Sequence, residues 1–251
     1  FMLLHCAYHW VSQGEKFSIL AMECNRAFYQ KRIAAFLSKD SRLLSPDWVR
    51  ANPGQARALV DQSRTLTKEV SRRVHITKEI KPTGGQLTTG EVMKWIEERA
   101  KAGDRVIVVD PITAADPGDG KPWVEDKKLM EVGHRLAEDY QTSIIFVTHP
   151  TKTAPGSSAP ATAGGAAIER FCDTLLWLES LNPPKDCNVQ PLGSDGVQPM
   201  DANSTIHVKK ARHGPGAGAT IALDYDANSA CFQELGLLMP DTKKKKGKTN
   251  A

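Results

Sequence analysis

Apolar and polar positions along this chain keep two rhythms. Residues 105–110 (RVIVVD) and 143–150 (SIIFVTHP) are short, mostly β-branched apolar runs that end in polar groups. A run that is apolar at consecutive positions is buried on both faces, which predicts central strands of a parallel sheet. Residues 17–22 predict another strand, ending at Glu23, and residues 74–76 a short one. Elsewhere the apolar positions recur at helical spacing. Residues 1–12 predict a buried helix, and Asn25 is placed to cap a helix running to about residue 38. Residues 46–49 and 55–72 predict helices, the second polar and rich in Arg and Lys. Thr88 or Thr89 starts a helix with Val92, Trp95 and Ile96 on one face; residues 123–140 form another with Leu129, Val132 and Leu136 inward.

Three stretches interrupt or end this alternation. Residues 112–122 (ITAADPGDGKP) form an irregular Gly/Pro/Asp loop, and residues 151–165 a loop of small residues long enough to signal function or disorder. A short helix at 166–171 and a strand at 174–179 follow, with Leu175, Leu176 and Leu178 expected in the core. Residues 181–203 read as a Pro/Gly/Asp-rich insertion, and residues 205–210, 219–223 and 231–235 as three antiparallel strands that extend the sheet. Alternating β and α segments with terminal strands predict an α/β fold, a mostly parallel sheet flanked by helices with antiparallel strands at its C-terminal end.

Composition narrows the class. The net charge of +4 is concentrated in the lysine run at 243–248, so the body is near neutral and charge argues only weakly for nucleic acid. The five cysteines show no CxxC pair or metal-ligand spacing, as expected of free thiols in a reducing compartment. No apolar run reaches the ~18 residues of a membrane span, and the first ten residues lack the basic region and cleavage site of a signal peptide. A cytoplasmic, nucleoid-associated protein is expected. The chain opens on Phe, part-way through a helical pattern, which suggests truncation.

The chemistry sits where the strands end. In open α/β sheets ligands bind beyond the carboxyl ends of the strands. Asp110 there suits Mg²⁺, a hard cation that takes few protein ligands, or else serves as a turn acid before Pro111. Glu23 is either a base for an attacking water or a surface acid. Thr148 and His149 end the next run, where a His reports a terminal phosphate unless it is an ordinary loop histidine. Lys210 and Arg212, in VKKARHGPGAG, are two apart on a strand end and form either cationic fingers for a phosphate or a solvated edge. Together these groups point to a nucleotide-hydrolysing P-loop enzyme, although no GxxxxGK[ST] occurs.

Taken in order, AMEC, RVIVVDP, FVTHP, GGAAIERFCDTLLWLE and KARHGPGAG resemble the RecA-like motor domain of hexameric replicative DNA helicases, the DnaB type with its phage and mitochondrial primase-helicase relatives. The resemblance covers residues 1–236, leaving 237–251 as a basic tail, and places the missing Walker A loop just upstream of Phe1. It implies Glu23 as catalytic base, Asp110 of a Walker B strand serving Mg²⁺, and Thr148 and His149 near the ATP phosphates. It also implies Lys210 and Arg212 reaching a neighbouring subunit's ATP. Lys121 and Lys152 fall in loops expected to track single-stranded DNA in the central channel. ATP, Mg²⁺, single-stranded DNA, a ring of like subunits (a hexamer) and a primase or helicase loader are the implied cofactors and partners, with no membrane. The fragment as it stands would be inactive without that upstream loop. Two other readings remain: a RecA-fold accessory or recombination ATPase without unwinding activity, and an inert DNA-binding or assembly module.

Overall fold

The computed structural model describes residues 2–149 and 165–240, and places them in two units. The first, residues 1–172 with 227–231, is built on a four-stranded parallel sheet in the order β2-β1-β3-β4. It runs through α1 (Met2–Ser12), β1 (Phe17–Ala21), α2 (Arg26–Ser38), α3 (Pro46–Ala51), α4 (Pro53–Gln62), α5 (Arg64–Arg72), β2 (Val74–Ile76) and the single turn α6 (Thr77–Ile80). It continues with α7 (Thr89–Lys101), β3 (Val106–Asp110), α8 (Pro122–Tyr140), β4 (Ser143–Phe146) and α9 (Gly165–Phe171). Ala21 pairs with Asp110 and Val109 with Phe146, so these strands end side by side.

Strand alternation explains the layering. Phe17, Ile19 and Ala21 of β1 and Val108 of β3 pack with Leu4, Ala7, Tyr29, Ile33 and Val70 from α1, α2 and α5. The opposite pleat, Leu20, Ile107 and Val109, packs with Val92, Trp95, Ile96, Leu129 and Met130 from α7 and α8. Both faces of β1 and β3 are thereby covered, as their continuous apolar sequence requires. Local chemistry sets the helix ends. The Asn25 side chain accepts from the Phe28 N–H at the start of α2, and Thr88 and Glu91 form a reciprocal capping box on α7. Gly133 in α8 leaves room for the Phe146 ring, since a Cβ there would lie 3.0 Å from two of its carbons.

Several expectations change. The polar helix expected over residues 55–72 is two helices, α4 and α5, parted at Ser63. β1 ends at Ala21 rather than at Glu23. The run at 143–146 is an edge strand among the described residues, with Ile145 36% exposed, because β3 pairs it on one side alone. Apolar periodicity reports burial of faces, not a strand's place in the ladder.

The second unit, residues 173–226 with 232–251, is antiparallel: β5 (Thr174–Gln190), β6 (Gln198–Ala211), β7 (Thr220–Asp226) and β8 (Cys231–Leu238). Its strands close on one another instead of extending the parallel sheet. The supposed insertion at 181–203 is mostly the continuation of β5 and the start of β6, paired from Lys185↔Ala202 to Val189↔Gln198. Leu176 and Leu178 are exposed rather than core, at 59% and 51%, because the unit's small core of Leu181, Val189, Ala202 and Ala222 lies further along the hairpin.

Candidate functional site

The carboxyl ends of β1, β3 and β4 bring three of the expected residues to one sheet edge. The Met22 N–H donates to the Asp110 carbonyl at 2.9 Å, the last backbone tie before the chain leaves β1. Glu23 follows in a bend, half-exposed, and its Oε2 lies 3.8 Å from His149 Nε2. The loop after β3 is held to β4 by the Ile112 N–H donating to the Val147 carbonyl at 2.9 Å. Thr148 turns its hydroxyl to the His149 carbonyl, at 3.4 Å.

Asp110 is partly buried, and the Tyr29 hydroxyl donates to its Oδ2 at 2.8 Å. Burial, then the Asp110 charge, pushes the Tyr29 phenol far above its ordinary value, so it stays protonated and a donor. Cys24 is pushed up by burial and by the Asp110 and Glu23 charges, so it stays a thiol. Among the described residues no cluster of three or more His, Cys, Asp or Glu forms a metal cage. The donor set here is one hard carboxylate. That fits Mg²⁺, which is typically held by one or two carboxylates together with water and substrate phosphates.

The remaining expected residues lie elsewhere. Lys210 sits in β6, paired with Leu175, and Arg212 follows the end of that strand, both in the second unit. Arg212 makes two contacts with Asp173: its N–H donates to the Asp173 carbonyl at 2.8 Å, and its Nη1 lies 3.0 Å from Oδ1. His213 Nε2 reaches the same oxygen at 3.6 Å. Lys121 precedes α8 with its ammonium 5.4 Å from the Trp123 ring centroid, and that indole is 63% exposed. Lys152 and the lysine run at 243–248 lie outside the described residues. The sequence reading missed Tyr29. Its partner is 81 positions away, and no short-range pattern marks such a contact.

No protein-family model matches this chain, and no curated protein matches it in sequence. Its structure is similar to a solved helicase ATPase domain, with a TM-score of 0.67 over 92% of this chain and 78% of that one at 10% identity. A DnaB-like replicative helicase aligns at 0.63 and 10% identity, over 88% of this chain and 51% of that one. RadB recombinase aligns at 0.52 and 14% identity, over 90% and 81%. No helix among the described residues is long and apolar enough to cross a membrane. The chain has the RecA-like fold of replicative-helicase motor domains, with a parallel sheet between helices and antiparallel strands at the C-terminal end.

Proposed function

We propose that this chain is the motor domain of a ring-forming, ATP-dependent DNA helicase or translocase. The observation that carries the reading is the convergence of Glu23, Asp110 and His149 at the carboxyl ends of adjoining strands in a RecA-like fold. Glu23 takes a proton from the attacking water, for which its half-exposed carboxylate beside His149 is suited. Asp110 holds Mg²⁺, which when bound offsets the charge of the nucleotide phosphates. Thr148 lies beside the phosphates, and His149 senses loss of the terminal one and passes it to the loop that follows. Lys210 and Arg212 serve the neighbouring subunit's nucleotide, the guanidinium favouring developing phosphate charge. Lys121 and Lys152 follow the phosphates of single-stranded DNA, and the exposed Trp123 beside Lys121 adds a face on which a base can stack. A primase or loader is a further partner, by analogy with the DnaB-like helicase whose described interactions are with primase. We also place the motor core at residues 1–236, with 237–251 as a basic tail, in a soluble protein of the cytoplasm.

The similarity to RadB recombinase favours one second reading, a RecA-fold accessory or recombination ATPase that does not unwind. Steady-state ATP hydrolysis with and without single-stranded DNA, on the full-length chain that carries these residues, beside Glu23→Gln and Arg212→Ala, separates them. DNA-stimulated turnover abolished by both substitutions, with strand displacement, supports the helicase. Turnover without strand displacement favours the accessory ATPase, and no turnover from a folded chain overturns both.

A further inference from the structure

Tyr29 is 5% exposed, packed among Phe17, Ile19, Ile33 and Val108, yet its hydroxyl reaches out of that apolar cluster to Asp110 Oδ2 at 2.8 Å. A buried tyrosine needs a partner for its hydroxyl; here the partner is the carboxylate of the candidate metal site. The residue rides on α2, whose capped start at Asn25 lies two positions after Glu23. One short, well-fixed element therefore carries both the end of the Glu23 bend and the clamp on Asp110.

We infer that Tyr29 is a positioning residue for the Mg²⁺-binding carboxylate, holding one Asp110 oxygen so that the other is presented in a fixed direction. The inference rests on the nucleotide-binding reading above. Groups that orient a metal's carboxylate ligand through a hydrogen bond typically change metal affinity by about 10–100-fold when removed. A carboxylate with one oxygen occupied by a phenol is left with a single-oxygen or water-mediated contact, as Mg²⁺ prefers. The phenol is neutral, so it orients Asp110 without cancelling the charge the metal needs.

Tyr29→Phe keeps the ring and deletes the donor. Mn²⁺ bound with ATP, followed by electron paramagnetic resonance on the full-length chain, reads the site without turnover. The expected result is Mn²⁺ affinity weakened about 10-fold. The Mg²⁺ concentration for half-maximal hydrolysis rises by a similar factor, while ATP binding in EDTA is unchanged. Adding Tyr29→Phe to Asp110→Asn then costs nothing more, since the two act through one contact. Ile33→Val, in the same cluster but with no hydroxyl to lose, controls for core damage; an equal loss of Mn²⁺ affinity in it overturns the inference. Unchanged Mn²⁺ affinity in Tyr29→Phe, where the unaltered chain binds Mn²⁺ with ATP, also overturns it and leaves the ATPase reading intact. Failure of the unaltered chain to bind Mn²⁺ with ATP overturns both.

Discussion

Glu23 and His149 approach within 3.8 Å although 126 positions separate them, and neither is sequestered from water. A half-exposed carboxylate costs the fold little, so its placement at a strand end is available to chemistry rather than demanded by packing. Glu23→Gln is therefore expected to lower ATP turnover by roughly 10²–10⁴-fold with little change in melting temperature or nucleotide binding. Loss of binding alongside turnover would sink the base assignment. His75 is the opposite case. It sits on β2 with its ring 5.6 Å from Trp95 and its Nε2 3.4 Å from Ser18 Oγ, and burial, then the Arg99 charge, holds its imidazole below the ordinary histidine value. The unfolded chain takes up a proton near pH 6.5 that the folded chain resists, so the unfolded state binds more protons in that range. Stability is full above that value and is lost as pH falls through the depressed folded value. Urea midpoints at pH 7.5 and 5 should differ less for His75→Gln than for the original chain. His5, also lowered by burial, keeps some slope, and equal slopes in both chains would sink the idea.

At the scale of elements, the strands differ by their neighbours more than by their sequences. Ile107 on β3 is fully buried between paired strands, whereas Ile145 on β4 is 36% exposed at an edge. Ile107→Ala should cost about 2–5 kcal/mol in urea unfolding, and Ile145→Ala under about 1 kcal/mol; similar losses would place β4 inside a wider sheet. Asn25→Ala removes the side-chain cap of α2 and should cost about 1 kcal/mol. The caps at Asn25 and Thr88 were legible in the sequence because capping is written within four residues. The strand at Phe17–Ala21 was legible because apolar residues fill both its pleats. The edge position of β4 was not, since strand order is decided by pairings scores of residues apart. The same holds for β5 and β6: Pro183, Pro184 and Gly196 read as loop punctuation, but the pairing resumes at Lys185↔Ala202 past the prolines. At the site, Asp110 and His149 were legible as polar ends of apolar runs. Tyr29 was not, because a buried aromatic at helical spacing looks like any core residue until its partner is known.

For the whole molecule, the decisive question is whether the two units serve one nucleotide within a chain or across a pair of chains. The catalytic carboxylates belong to the first unit, and Lys210 and Arg212 to the second. Arg212 is tied to Asp173 of its own unit, but both side chains are about two-fifths exposed. A pair that wet contributes at most about 1 kcal/mol, so the guanidinium can exchange partners for a phosphate at small cost. A head-to-tail ring makes every site a composite of one chain's Glu23 and the next chain's Arg212. Glu23→Gln and Arg212→Ala chains should each be inactive alone. Mixed in equal amounts and reassembled at random, they should regain roughly a quarter of the original turnover, because a site is whole when an Arg212→Ala chain supplies Glu23 and a Glu23→Gln neighbour supplies Arg212, each with a chance of about one half. Recovery that grows with total protein concentration would tie it to assembly. A mixture as inactive as its parts, in a preparation shown by sedimentation to be oligomeric, would place Arg212 at its own chain's nucleotide and remove the argument for a site shared between subunits.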